Sequence, residues 1–278
     1  MNVMGMKSFF YAEADADLYD ATVRFTTEPY DLLHAQVQRL VSYWERNRQR
    51  HQGDRPLIVN LGCGTGMEAF PILKNVQSAD LICIDISERM LSILRQKLIR
   101  TFGDETCGGR CWTVRGDVRD GDVISSAIAT AGFARRPVSL AVSVYALHHL
   151  TAIEKKETYS AIARALSSES AFVCGDMYSF ADQKLGQFAQ SMEERWIANA
   201  FERGAETIDL VPEELKRLTE TWLKHSREEN IPLPIYQSEP PSDPGRLDTE
   251  AALLLAAGFR RLDVPFRFFQ NGIIWAEV

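Results

Sequence analysis

"VNLGCGTGME", residues 59–68, places three glycines in five positions directly behind an apolar run. Glycine loses more backbone entropy on ordering than any other residue and brings no side chain to pack. Three together therefore serve a backbone that must turn sharply or come close to a ligand. The run in front, Leu57 to Leu61, is too short for a helix and is bounded by Pro56 and Gly62, so it reads as a buried strand. Thr65 and Glu68 are spaced as a capping box for a helix reaching about Asn75, with Pro71 an irregularity inside it.

Outward from this turn the pattern repeats. "ADLICID" (79–85) is a second apolar strand, followed by Ser87 as a helix cap and a stripe of Met90, Leu91, Leu94 and Leu98 at helical spacing. "CWTVRGD" (111–117) is a third strand, with a helix over about 122–131. "VSLAVSVYALHHL" (138–150) begins as a fourth, and Thr151 with Glu154 boxes the next helix. "SAFVCGDM" (170–177) is a fifth. Strands alternating with helices imply an α/β fold with a parallel sheet covered on both faces. After residue 178 the alternation stops. Residues 180–227 read as helices, 230–245 as a proline-rich loop, "TEAALLLAAGF" as a helix ended by Gly258, and the last stretch as two strands turning at Asn271-Gly272.

Composition narrows the partners. A net charge of −7 and a pI near 5.4 argue against a nucleic-acid partner, which needs a basic footprint. The local exception, "ERNRQRHQGDR" (45–55), has no interleaved aromatics for bases to stack on and reads as a solvated helix end. No stretch approaches the ~20 apolar residues of a membrane span, and the N-terminus lacks a signal peptide's apolar centre. A cytoplasmic protein with no membrane partner is expected. The five cysteines fit reduced, structural thiols, because Cys107 and Cys111 have no His or second Cys pair to complete a metal site.

Ligands of open parallel sheets sit past the carboxyl ends of the strands, where the winding reverses, and the glycine turn lies at such an end. The helix start beyond it offers unpaired N–H groups to an anionic group. Gly66 is followed by Met67 rather than the Lys-Ser or Lys-Thr of a phosphate loop, and Gly62, Gly64 and Gly66 give G-x-G-x-G rather than the dinucleotide G-x-G-x-x-G. Asp85 ends the second strand, where a carboxylate can accept both ribose hydroxyls. Asp117 ends the third, where an adenine amino group would lie.

Together "VNLGCGTG", "ICIDISERML", "RGDVRD", "VSVYALHHLT" and "LLAAGF" resemble the class I S-adenosylmethionine-dependent methyltransferases of small-molecule type. The likeness covers about residues 55–178 and 247–278, leaving an N-terminal helical cap (1–50) and a helical insertion (180–245) on a single domain. It implies a Rossmann-like sheet of seven strands, mostly parallel, whose last strand is antiparallel. It implies that Leu61, Gly62, Cys63, Gly64 and Gly66 hold the methionine part of S-adenosyl-L-methionine, Asp85 the ribose, and Asp117 with Val118 the adenine. Ile86 and Met90 would flank the adenosine, and Ser143 and Val144 the methyl group. "EPYDLLHAQV" resembles a segment that some of these enzymes fold over the cofactor, which would bring Tyr30 to the sulfonium end.

Methyl transfer is an in-line displacement at an activated carbon, so alignment and exclusion of water matter most. A base is needed only if the acceptor must shed a proton, and His149, then His148, are the candidates. The Asn/Asp-Pro-Pro-Tyr motif of relatives that methylate amino groups of bases is absent here. Tyr145, Asp176 and Tyr178 are candidates for the acceptor pocket, and Trp196 and Trp222 for a lid over a small-molecule acceptor, a metabolite or natural product of a biosynthetic route. A cofactor-binding relative with cyclisation, decarboxylation or regulatory chemistry is the competing reading. A homodimer is left open.

Overall fold

The computed structural model describes residues 19–20, 23–24, 27–48, 55–106, 109–133, 136–189, 191–192, 195–196, 199 and 245–278. Seven strands form one sheet: β1 (Leu57–Leu61), β2 (Asp80–Asp85), β3 (Cys111–Arg115), β4 (Val138–Val144), β5 (Leu166–Met177), β6 (Arg261–Phe268) and β7 (Asn271–Glu277). Their order is β3-β2-β1-β4-β5-β7-β6. The pairs among β1 to β5 are parallel, and β7 is antiparallel to both its neighbours, as the resemblance implied. Winding reverses at β1, which lies between β2 and β4, so the crevice of an open α/β sheet falls past its carboxyl end.

Both faces of the sheet are covered, which is why β1 and β2 are apolar at nearly every position instead of alternating. On one face lie α1 (Tyr30–Asn47), α2 (Ala69–Asn75) and α3 (Glu88–Phe102), burying Leu33, Val37, Ile72, Leu91, Leu94 and Leu98 against Ile58, Leu81 and Val142. On the other lie α4 (Val123–Thr130), α5 (Ala152–Ala165) and α6 (Leu247–Ala257), burying Ile124, Tyr159, Ile162 and Leu254 against Leu57, Val59 and Phe172. Gly175 lets α1 reach β5, since a Cβ there would lie 2.7 Å from Leu33 Cδ2.

The Ser87 cap and both halves of the Thr151–Glu154 capping box form as read. The Thr65–Glu68 box does not. The glycine turn continues through Gly66 at φ 95, which leaves Thr65 inside the loop, and α2 begins only at Ala69. Thr65 donates its hydroxyl to Asp20, and Glu68 pairs with His34. Pro71 falls in the first turn of α2, where a missing N–H has no helical partner to lose.

The final hairpin turns at Phe269 and Gln270, with Phe268 opposite Asn271, so Asn271 and Gly272 start β7 instead of forming the turn. Asn271 pairs with Met177 and Phe268 in the sheet and accepts the Tyr145 hydroxyl (3.1 Å), and Phe269 takes the positive φ that the tight connection requires. Cys63, Cys83, Cys111 and Cys174 are free and buried, and Cys107 lies outside the described residues. No helix among the described residues is long and apolar enough to cross a membrane.

Candidate active site

The three glycines of the β1–α2 turn all have positive φ, but they face different surroundings. A Cβ on Gly62 would lie 2.3 Å from Ala146 Cβ, and one on Gly66 would lie 2.2 Å from Leu94 Cδ1. Those two glycines let the loop pack on the turn after β4 and on α3. Gly64, at φ 50, would meet nothing within 4 Å, so its bare backbone borders open space. Asp85 at the end of β2 fixes this edge. Its Oδ2 accepts the Gly64 N–H at 2.8 Å and its Oδ1 accepts the Ser87 N–H at 2.9 Å. Burial pushes the Asp85 carboxyl above the usual aspartate range, with those backbone N–H groups opposing it. The Ile86 N–H also bonds to it, and the acceptor capacity that remains suits a hydroxyl donor.

Past β3, Gly116 donates its N–H to Asp85 O, and Asp117 follows. Arg119 engages both Asp117 oxygens, from Nε at 2.9 Å and from Nη2 at 2.5 Å, and lies 3.7 Å from Glu154. Ile86 is 38% exposed, an apolar face open beside these two acids.

At the ends of β4 and β5 the chain builds a second carboxylate centre. Asp176 is 3% exposed and accepts four hydrogen bonds: the Leu147 and His148 N–H groups at Oδ2 (3.0 Å each), and the Met177 N–H (2.8 Å) and His148 Nδ1 (2.6 Å) at Oδ1. Burial opposes its charge, yet His148, Lys155 and the Met177 N–H outweigh it and hold the carboxyl below the usual aspartate range. An ionised Asp176 can only accept, so His148 Nδ1 carries the proton of this bond, the arrangement by which a carboxylate orients a catalytic imidazole. Tyr145, three residues earlier, is held at φ 50, a strained backbone for a bulky residue, with its ring parallel to Tyr30 at 5.6 Å.

Residues 58–169 match the family described as "Methyltransferase domain". The seven-stranded sheet has the Rossmann-like class I methyltransferase fold. Solved structures share the fold. Magnesium protoporphyrin IX methyltransferase from Synechocystis PCC 6803, with bound SAH, is 14% identical with a TM-score of 0.54, the match covering 99% of each chain. An O-methyltransferase family protein from Burkholderia thailandensis is 12% identical with a TM-score of 0.52. That match covers 88% of this chain but only 56% of the Burkholderia one. No curated protein sequence matches the chain.

The methyltransferase domain sorts the residues singled out from sequence. Gly62, Gly64, Gly66, Asp85, Ile86, Asp117 and Val118 all line the strand ends around the glycine turn, and Cys63 is buried within it. Met90 lies in the first turn of α3 and is buried, as is Val144 at the end of β4. Leu61 and Ser143 present no side chain to the crevice: Leu61 is fully buried, and Ser143, also fully buried, donates its hydroxyl to Leu61 O at 3.0 Å. Asp176 and Tyr178 are not open to an acceptor either. Asp176 is spent on the 147–148 turn, and Tyr178, 2% exposed, donates its hydroxyl to Cys174 O. His149 is exposed, its ring 4.0 Å from that of His148, and His148 is the one bonded to Asp176. Trp196 is half-buried, and Trp222 lies outside the described residues.

The sequence reading missed His34 and Glu68. His34 Nδ1 pairs with Glu68 Oε1 between α1 and α2, and its ring packs 4.2 Å from Tyr30 and 5.7 Å from Tyr145. Burial, reinforced by Tyr19, Glu68 and Asp20, pushes the Tyr30 hydroxyl far above the usual tyrosine range, so it stays neutral. The available signal was spacing: His34 lies one helical turn after Tyr30. Arg119, two residues after Asp117, was also missed.

Proposed function

We propose that the protein methylates a small organic acceptor at a nucleophile that carries a proton, with His148 as the general base. When bound, S-adenosylmethionine supplies an electrophilic methyl carbon on positively charged sulfur. The glycine turn and Asp85 bind and orient it, Asp117 and Val118 receive the adenine, and Ile86 covers one face of the base. Tyr30 and Tyr145 exclude water from the methyl end, where a displaced or misaligned acceptor would lose most of the rate. His148 takes the acceptor's proton at Nε2, while Asp176 holds the ring and balances the imidazolium that forms.

The observation that carries this reading is the four-donor Asp176 carboxylate with His148 fixed on it at 2.6 Å. A small acceptor is supported by the net charge of −7 and by the lack of an Asn/Asp-Pro-Pro-Tyr motif after β4. The segment 180–245 is our candidate for the acceptor wall; residues 201–244 of it lie outside the described residues.

The test is release of S-adenosylhomocysteine from S-adenosylmethionine with a panel of phenol, alcohol, carboxylate and amine acceptors, followed by single-turnover kinetics on the best one. His148→Gln should lower the chemical rate by ~10²-fold or more with unchanged S-adenosylhomocysteine affinity, while His149→Gln leaves the rate near that of wild type. An unchanged rate in His148→Gln would sink the base assignment.

A further inference from the structure

One buried nitrogen beside the glycine turn has no use in the chemistry above. His34 on α1 is 4% exposed and its Nδ1 pairs with Glu68, yet its Nε2 has no hydrogen-bond partner among the described residues. A buried polar atom left unmet costs free energy, so each exception calls for a physical reason. Asn60, two residues before Gly62, shares with Ile58 the face of β1 that α1 covers. Both polar atoms of its buried amide also lack a partner among the described residues. Unmet polar capacity thus gathers on one face of the sheet, at the start of the glycine turn.

The contacts of the His34 ring tie it to both ends of that turn. Glu68, which holds Nδ1, follows Gly66 by two residues. Tyr145, whose ring lies 5.7 Å from the imidazole, precedes Ala146, and a Cβ on Gly62 would lie 2.3 Å from Ala146 Cβ. Between these two ends stands Gly64, the glycine whose backbone borders open space. Tyr30, one turn earlier on α1, packs its ring 4.2 Å from the imidazole. Glu68 sets the charge that suits this corner, because a carboxylate beside the ring repels an anionic group and attracts a cationic one.

We propose that His34 binds the amino-acid end of S-adenosylmethionine, its Nε2 accepting an N–H of the α-ammonium. An ammonium offers three donors and no acceptor, so it completes this nitrogen only as a donor. Glu68 accepts from Nδ1, which turns Nε2 toward the ligand as an acceptor, and its charge adds to the attraction. The glycine turn contributes backbone groups, whereas His34 and Glu68 distinguish a nucleoside that carries an amine from one that does not. His34 lies on α1, outside the residues 58–169 that match the methyltransferase family. The assignment rests on the S-adenosylmethionine reading above and makes the N-terminal helix part of the binding site.

The experiment is calorimetric titration of the full chain with S-adenosylhomocysteine and with its deamino analogue, which keeps the carboxylate and lacks the α-amino group. His34→Asn leaves an amide able to donate to Glu68 and no atom at the position of Nε2. It should weaken S-adenosylhomocysteine about tenfold or more, the size of a hydrogen bond to a charged group. The dissociation constant of the analogue should stay within about twofold of wild type, because it never made that bond. His34→Gln, whose longer amide reaches the Nε2 position, should recover most of the lost affinity. An imidazole that only packs between Tyr30 and Glu68 would, in His34→Asn, weaken both ligands alike or neither, and either result overturns the proposal. Where His34→Asn fails to fold, Glu68→Gln carries the same comparison: it removes the negative charge at nearly the same volume and should weaken S-adenosylhomocysteine but not the analogue. Wild type that binds neither ligand would remove the cofactor reading, and this proposal with it; an equal loss for both ligands in the variant removes the proposal alone.

Discussion

Gly64→Ala separates the cofactor cradle from the scaffold beneath it. Gly64 has φ 50, and a methyl group there would meet nothing within 4 Å. The cost to the free protein is therefore the left-handed backbone alone, about 1–2 kcal/mol for an L residue. That corresponds to a drop of a few degrees in melting temperature, at roughly 2–4 °C per kcal/mol for a chain of this size. Gly66→Ala carries the same kind of backbone strain at φ 95, and its Cβ would also lie 2.2 Å from Cδ1 of the fully buried Leu94. Overpacking adds about 1–3 kcal/mol, so this variant should be clearly the less stable of the two.

The order reverses when ligand is added. Saturating wild type with S-adenosylhomocysteine at about 100 times its dissociation constant contributes ~2.7 kcal/mol to stability. In Gly64→Ala the new methyl occupies the space that the ligand backbone needs, so this increment should vanish at the same concentration while the free protein remains folded. Thermal melts with and without ligand, paired with calorimetric titration, measure both quantities. If Gly64→Ala keeps the full ligand-induced shift, the open space beside Gly64 is not where the cofactor lies.

Four further outcomes follow from the same geometry. Asp85 in the free protein holds its proton above the usual aspartate range, and ribose hydroxyls favour the charged form. Binding should therefore release a proton, and S-adenosylhomocysteine affinity should fall as pH drops through that raised value; calorimetry from pH 7.5 to 4.5 checks this, and a flat profile counts against the ribose assignment. Asp176 is shifted the other way, so its contribution to stability is complete above the ordinary aspartate value and disappears as pH falls through the depressed one. Asp176→Asn should flatten that part of the acid melting curve. At pH 7 the same variant should be less stable by about 1–3 kcal/mol, because four donors lose a charged acceptor; a denaturant titration checks it. Trp196→Ala should weaken acceptor binding more than cofactor binding, measured as separate KM values, and equal effects would make 180–245 a scaffold and not a wall.

Much of this fold was legible because its strands are buried on both faces. A strand covered by helices on each side is mostly apolar instead of alternating, so β1, β2 and β4 stand out as short runs between turn residues. Helix starts were legible where the cap is local, at Ser87 and Thr151, since the partner N–H lies within three residues. The misreadings share the opposite property. Thr65 and Glu68 have capping spacing, but each is claimed by a distant residue, Asp20 and His34, and Asn271 is claimed by Tyr145. At these three residues local turn chemistry gave way to tertiary hydrogen bonds.

The same division decides between the two histidines. In sequence, His148 and His149 are equivalent, adjacent imidazoles between a strand and a helix. What separates them is 28 positions away: Asp176 ends β5, β5 pairs in parallel with β4, and that register puts its carboxylate under the 147–148 turn. Asp176 can therefore be read only as one more acid at a strand end until the pairing is known. Once it is, one carboxylate accounts for the shape of the turn and the orientation of the His148 ring. The residues proposed to bind the cofactor, the glycines and the strand-end acids, are written into the local sequence. The residue proposed to handle a proton is defined by its neighbours in space, since the carboxylate that fixes His148 comes from the neighbouring strand.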